Sequence, residues 1–230
     1  MSHDHQHCGH EHHHHGGGAD DDHLKPGEGQ QDFLFSKIDK EGVTALNEQE
    51  PGMGARTIKP WDQRLDESAF LETDADDQTI IRIPFTGVVK LRSLFLKAGP
   101  TGHTPDAVYL FPNAENLDFA DAEAAVDSTG GGGVGALVPA QKLESIAQTR
   151  EVVEYPLRPA KFSNVRTLTL FVRRSMGEDT TRIYFLGFKG EWSDVKREGP
   201  TNIIYESAPQ LKDHTKVPGT ESGAYDFGTG

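Results

Sequence analysis

The stretch Ile183-Tyr184-Phe185-Leu186-Gly187-Phe188 constrains this chain more than any other part of it. In an extended backbone, alternate side chains point to opposite faces. Ile183, Phe185 and Gly187 then face one way, and Tyr184, Leu186 and Phe188 the other. Both sets are apolar. Such a strand must be covered on both faces or paired at an interface, and the expectation is a central strand with the rest of the chain arranged around it. Phe185 and Phe188 belong to the core on this reading. Asp179-Thr180-Thr181 forms the entry turn, with Asp179 accepting backbone N–H bonds. Gly190-Glu191-Trp192 closes the strand.

The remaining segments read as further strands. Gln78–Phe85 carries Ile81, Ile83 and Phe85 on one face, and Pro84 marks a bulge or an edge. Thr86-Gly87 signals a turn before Val88–Lys97. Ala107–Phe111, Glu151–Leu157, Val165–Val172 and Asn202–Tyr205 are also extended. Leu143–Ile146 reads as a brief turn, and Asn113–Asp127 as irregular and acidic. Asp39 is placed to cap a short helix at Lys40–Leu46, which Gly42 weakens; a loop anchored by Phe33 and Phe35 is the equal alternative. Trp61 reads as a packing anchor. About seven to nine short strands with almost no helix predict an all-β fold, a β-sandwich or jelly roll.

The chain has 230 residues and a hydrophobic content of 35 %. The apolar deficit falls at the ends and in the glycine-rich middle. Residues 1–31 are a His/Gly/Asp-rich tail, 32–208 a single domain with a flexible Gly-rich loop at 128–140, and 209–230 a second tail; both tails are expected to be disordered. The net charge of −13 argues against nucleic acid and anionic membrane as partners. The N-terminus lacks a secretory signal and no run is long enough to span a bilayer, so a cytoplasmic or nuclear location is expected.

Chemistry is sparse. The single cysteine, Cys8, excludes an intrachain disulfide and a CxxC site. Gly130-Gly131-Gly132-Gly133-Val134-Gly135 lacks the Lys-Ser/Thr of a phosphate loop. Asp74 and Asp76 alternate as in a calcium loop, but Thr79 stands where glycine is needed, so a solvated turn is expected. No catalytic set is apparent and no cofactor is expected. His3, His5, His7, Cys8, His10, His12, His13, His14 and His15 offer ligands for zinc, nickel or copper, without fixed geometry. That binding is adventitious, or it makes the tail a metal-handling segment. In the folded part, His103, Asp106 and Asp179 are the candidate ligand-loop residues, the readings being a small ligand or a carbohydrate.

Several stretches in order resemble the PITH domain. They are Lys59-Pro60-Trp61; Asp74-Ala75-Asp76-Asp77 before a strand ending Ile83-Pro84-Phe85-Thr86-Gly87; Phe162-Ser163-Asn164-Val165; Asp179-Thr180-Thr181 leading to Gly187-Phe188-Lys189-Gly190-Glu191-Trp192; and Tyr205-Glu206. The likeness spans about residues 32–208. It implies a jelly-roll sandwich similar to galactose-binding-like modules. The His/Gly-rich start looks like that of stand-alone members. The family name records a proteasome-interacting thioredoxin, in which this domain follows a thioredoxin domain. This sequence has neither that domain nor a CxxC, so redox activity is not carried over. The resemblance implies a non-enzymatic interaction module whose partner is the 26S proteasome, through its regulatory particle, or another large protein assembly; a monomer is expected.

Overall fold

β3, Thr79–Ala98, organises the molecule. The computed structural model describes residues 32–128 and 137–194. The two expected tails, the 202–205 strand and most of the Gly-rich loop lie outside the described residues. The other strands are β1 (Thr44–Leu46), β2 (Leu71–Glu72), β4 (Ala107–Pro112), β5 (Gln141–Glu144), β6 (Val153–Pro156), β7 (Val165–Val172) and β8 (Arg182–Ser193), and all pairings are antiparallel.

β3 serves two layers. Its first part pairs with β1 and β7, and β7 continues to β4 and β5. Its second part pairs with β6 and β8, and β8 continues to β2. A strand that passes from one layer to the other makes the corner of a sandwich. Between the layers lies one core. Ile81, Ile83, Val108, Leu110, Leu168 and Leu170 come from one side, and Leu94, Leu96, Ile183, Leu186 and Phe188 from the other. The fold is thus an all-β sandwich of the jelly-roll class. Its centre is β3; β8, read from the sequence as the central strand, lies between β3 and the two-residue β2.

The pair Thr86-Gly87 signals a turn in the sequence, but the strand runs through it. A β-carbon on Gly87 would stand 2.5 Å from Trp192 Nε1 and 2.6 Å from the Ser193 carbonyl oxygen. The glycine is needed for the close approach of β8. Pro84 does mark an irregularity, since the β3–β7 register shifts between Pro84 and Val89.

Two more register shifts decide which side chains face the core. The β3–β8 pairing shifts between Leu91 and Ser93 and again between Lys97 and Ala98. An extra residue reverses the alternation beyond it. Ile81, Ile83, Phe85, Val89 and Leu91 therefore share the inner face with Leu94, Leu96 and Ala98, despite opposite parity. On β8 the extra residue is Tyr184, opposite the Lys97–Ala98 step. Ile183 consequently joins Leu186 and Phe188 inside, and Phe185 faces out with Gly187. Strict alternation had placed Ile183 with Phe185. Both Phe185 and Phe188 are nonetheless fully buried, as expected.

Both outer faces are covered. One turn of helix, α1 (Met53–Arg56), precedes β2 in the chain, and the longer helix α2 (Phe119–Asp127) lies over β3, β7 and β4, with Ala122 and Ala125 packed on Ile80, Tyr109, Phe111 and Phe171. Asp118 caps it by accepting the Asp121 N–H at 2.7 Å. This helix replaces the irregular stretch expected there. Over β3 and β8, Phe33 and Trp61 cover Phe95 and Phe185 with ring centroids 5.1–6.4 Å apart. Trp61 is thus the anchor the sequence suggested. A β-carbon on Gly187 would meet the Phe33 ring at 2.8 Å, so this cover also depends on glycine.

The 40–46 helix does not form. A 3-10 turn, Lys40–Gly42, leads into β1, and Asp39 makes no side-chain cap. Pairing of Thr44–Leu46 with Arg82–Ile80 wins over local helix formation. Likewise, part of 143–146 is strand β5, fixed by pairing to β4 rather than turning.

Candidate functional site

Three loops meet at one end of the sandwich. The segment 99–106 follows β3, 173–181 joins β7 to β8, and 73–78 precedes β3. Backbone bonds tie the first two together: Asp106 N–H to the Arg174 carbonyl at 3.0 Å, Met176 N–H to Thr104 at 2.8 Å and Glu178 N–H to Gly102 at 3.3 Å. The third loop is clasped to the second by Asp77. Its carboxylate accepts the Ser175 N–H at 2.7 Å, and its carbonyl accepts the Thr181 hydroxyl at 2.7 Å. Asp76 accepts from Asn47 at 2.7 Å and from the Gln78 N–H at 2.9 Å. The acidic turn is therefore a built clasp rather than a merely solvated one. Asp77, not Asp179, takes the backbone bond that fixes the 173–181 turn; Asp179 is exposed and accepts no such bond among the described residues.

His103 begins a chain of polar groups. Its Nδ1 lies 2.9 Å from Thr180 Oγ1 and 3.1 Å from the Thr180 carbonyl oxygen. The Thr180 hydroxyl donates to Glu72 at 3.2 Å, and Arg182 donates to the same carboxylate oxygen at 2.8 Å. Thr180 has one proton to give, and it goes to Glu72. Nδ1 therefore faces two acceptors and carries the hydrogen in this network. Burial pushes the Glu72 carboxyl up, but the hydrogen bond and charge of Arg182 outweigh it and hold it below the usual range. The Arg182 guanidinium is raised in return, chiefly by its bond to Glu72.

Beside this chain, two lysines are buried under the loop 64–69. Lys59 donates to the Asp66 and Ala69 carbonyls, each at 2.6 Å. Lys97 donates to the Leu65 carbonyl at 3.1 Å and to the Glu67 carboxylate at 2.9 Å. The loop has no secondary structure, so its carbonyls need donors, and lysine stems can cross apolar surface to supply them. Burial lowers the Lys59 pKa, with Asp66 opposing. Lys97 holds the Glu67 carboxyl below its usual range. A cleft opens here, lined by Glu67, Lys97, Ala98, Pro100, Thr149, Arg150 and Tyr184.

Of His103, Asp106 and Asp179, the residues expected to bind ligand, His103 contacts Thr180, the neighbour of Asp179 in the chain, and not Asp179 itself. Asp106 does not join them. It opens on a separate cleft with Ala107, Lys142, Glu144, Ser145 and Met176, which has no aromatic ring in its lining. Glu72, Arg182, Lys97 and Arg150 carry no signal as ligand residues in the sequence, where Thr180 reads only as part of the entry turn. Lys97 stands out only as a charge inside the apolar run Leu94-Phe95-Leu96-Lys97-Ala98. Among the described residues, no group of three or more His, Cys, Asp or Glu is placed to hold a metal, and no helix is long and apolar enough to cross a membrane. The His-rich set and Cys8 lie outside the described residues.

A jelly-roll sandwich whose loops are bonded into a polar face at one end is the architecture of a binding module. The chain belongs to the PITH domain family, whose model matches residues 25–209. It is 35% identical over 213 residues to PITH domain-containing protein GA19395 of Drosophila pseudoobscura pseudoobscura, covering 93% of this chain and 92% of the relative. It is 34% identical over 193 residues to PITH domain-containing protein 1 of Danio rerio, covering 84% and 86%. The human PITH domain-containing protein 1 is 32% identical over 184 residues, covering 79% and 80%. Among solved structures, the CBM32-1 and CBM32-2 domains of Clostridium perfringens ZmpB in complex with GalNAc align with 70% of this chain and 37% of that one, at 12% identity and a TM-score of 0.49.

Proposed function

We propose that this protein is a non-enzymatic protein-interaction module that associates with the 26S proteasome or another large protein assembly. The observation that carries this reading is the way the end loops are built. Their polar groups are spent on one another, as in the His103–Thr180–Glu72–Arg182 chain and the Asp77 clasp. Such bonding makes a preformed face, and a preformed face binds with little ordering cost. The name of the family supplies the candidate partner.

The module acts as a monomer in the cytoplasm and nucleus on this reading, with no nucleic acid and no membrane as partner. The His-rich tail, His3 to His15, adds no more than adventitious metal binding. Loss of residues 1–23 should leave metal sensitivity in cells unchanged, and an altered sensitivity would assign the tail a function. The main test is affinity capture of the full chain from cell extract with quantitative mass spectrometry. Proteasome regulatory subunits should be enriched well above a control. Their absence from the enriched set would remove the proteasome as partner.

A further inference from the structure

We propose that the cleft beside Lys97 is a carboxylate-binding site, in which an acidic group of a protein partner takes the place now held by the protein's own Glu67. This rests on the interaction-module reading and names the chemistry such a partner would present. Lys97 is 4% exposed at its side chain, yet it lines an open cleft. An ammonium group has three hydrogens to donate. Two go to the Leu65 carbonyl and Glu67, and the same ammonium lies 5.9 Å from the centroid of the Tyr184 ring, which also lines the cleft. Arg150 lines the same cleft, is exposed, and donates no hydrogen bond among the described residues. Its guanidinium offers the paired donors that fit a carboxylate. The Thr149 hydroxyl accepts the Glu151 N–H at 3.2 Å and keeps its own proton to give.

The present occupant indicates the ligand. A carboxylate already sits 2.9 Å from Lys97, and the carboxylate belongs to a side chain that is 54% exposed. Glu67 is therefore a displaceable counter-ion. It keeps Lys97 paired when no partner is bound, and that matters because an unpaired buried ammonium is costly. A partner's carboxylate can take over that role and add the Arg150 fork. The chain's net charge of −13 repels acids at long range, so the cleft is a local exception that acts at contact.

The test uses the full chain labelled with 15N and titrated with four probes: N-acetylglycine, its amide, N-acetylaspartate amide and inorganic phosphate. The expected result is saturable shifts at Lys97, Thr149 and Arg150 with a carboxylate probe and none with the neutral amide. Comparison of the two acids tells a chain terminus from an acidic side chain. Glu67→Gln should tighten binding about threefold or more, and Arg150→Ala should weaken it by a similar factor. Arg150 is exposed and unbonded, so its variant keeps the fold. No saturable shift, an equal response to the amide, or unchanged affinity in Glu67→Gln would overturn the proposal. Inorganic phosphate binding more tightly than either acid would overturn the carboxylate assignment. Failure here leaves proteasome capture untouched, and failed capture leaves these titrations untouched.

Discussion

The two outer faces of the sandwich solve the same problem with different materials. Over β3, β7 and β4 the cover is helix α2, whose backbone bonds are internal apart from its Asp118 cap and which lies on Ala122 and Ala125, with Phe119 set edge-on against Phe171. Over β3 and β8 the cover is irregular chain. It brings large rings, Phe33 and Trp61, and must borrow donors from Lys59 and Lys97 to satisfy the loop that follows. The helical side is self-contained. The irregular side buries charge, and its buried lysines leave a cleft that chemistry can use. A helix closes a face by itself; here a loop closes one and leaves a cleft beside it.

The contrast can be broken first at its aromatic centre. Phe185 is fully buried between Phe33 and Trp61, so Phe185→Ala should cost about 3–5 kcal/mol in denaturant unfolding. A loss below about 1 kcal/mol would mean that this face is not a packed layer. Lys59→Met comes next. It strands two carbonyls of the 64–69 loop and should cost about 1–3 kcal/mol. Amide exchange should rise in that loop and leave α2 unaffected. On the helical side, Asp118→Ala removes the cap and should cost about 1 kcal/mol, with faster exchange confined to α2. If either variant loosened both covers equally, the two faces would not be independent.

The smallest effect is a pH dependence. Glu72 titrates below its unfolded value because of Arg182. Its contribution is therefore present above the ordinary carboxylate range and is lost as pH falls through the depressed value. Glu72→Gln should flatten that part of the acid-unfolding curve. An unchanged acid limb would show that the Arg182 pair adds nothing to stability.

This contrast also explains what could be read from the sequence. β7 is legible at its observed bounds, Val165–Val172, and Phe185 and Phe188 announce the core, because large apolar side chains in an extended run have few other destinations. α2 was missed because its buried stripe is alanine, which looks no more apolar than the acidic residues around it look polar. The face of Ile183 was misjudged because one bulge at Tyr184 reverses the alternation, and a bulge is set by the partner strand. The site was only half visible. His103 and Asp179 were named as lone polar residues in loops, whereas Glu72, Arg182 and Lys97 acquire their roles only when distant segments meet. The stretches that resemble the PITH domain turn out to be mostly building parts: Lys59 supports a loop, Asp77 clasps a turn, and Phe162 is fully buried. They identify the fold, and the proposed partner contact falls to the end face.

That claim is tested most directly by reversing charge on the face without touching its bonds. Asp106 and Asp179 are exposed at the loop end. Full chains with and without Asp106→Lys and Asp179→Lys together should be compared in quantitative capture, after melting temperatures confirm that both are folded. Proteasome regulatory subunits should be enriched by the unaltered chain and lost from the altered one. Equal enrichment by both would place the contact elsewhere and contradict the account.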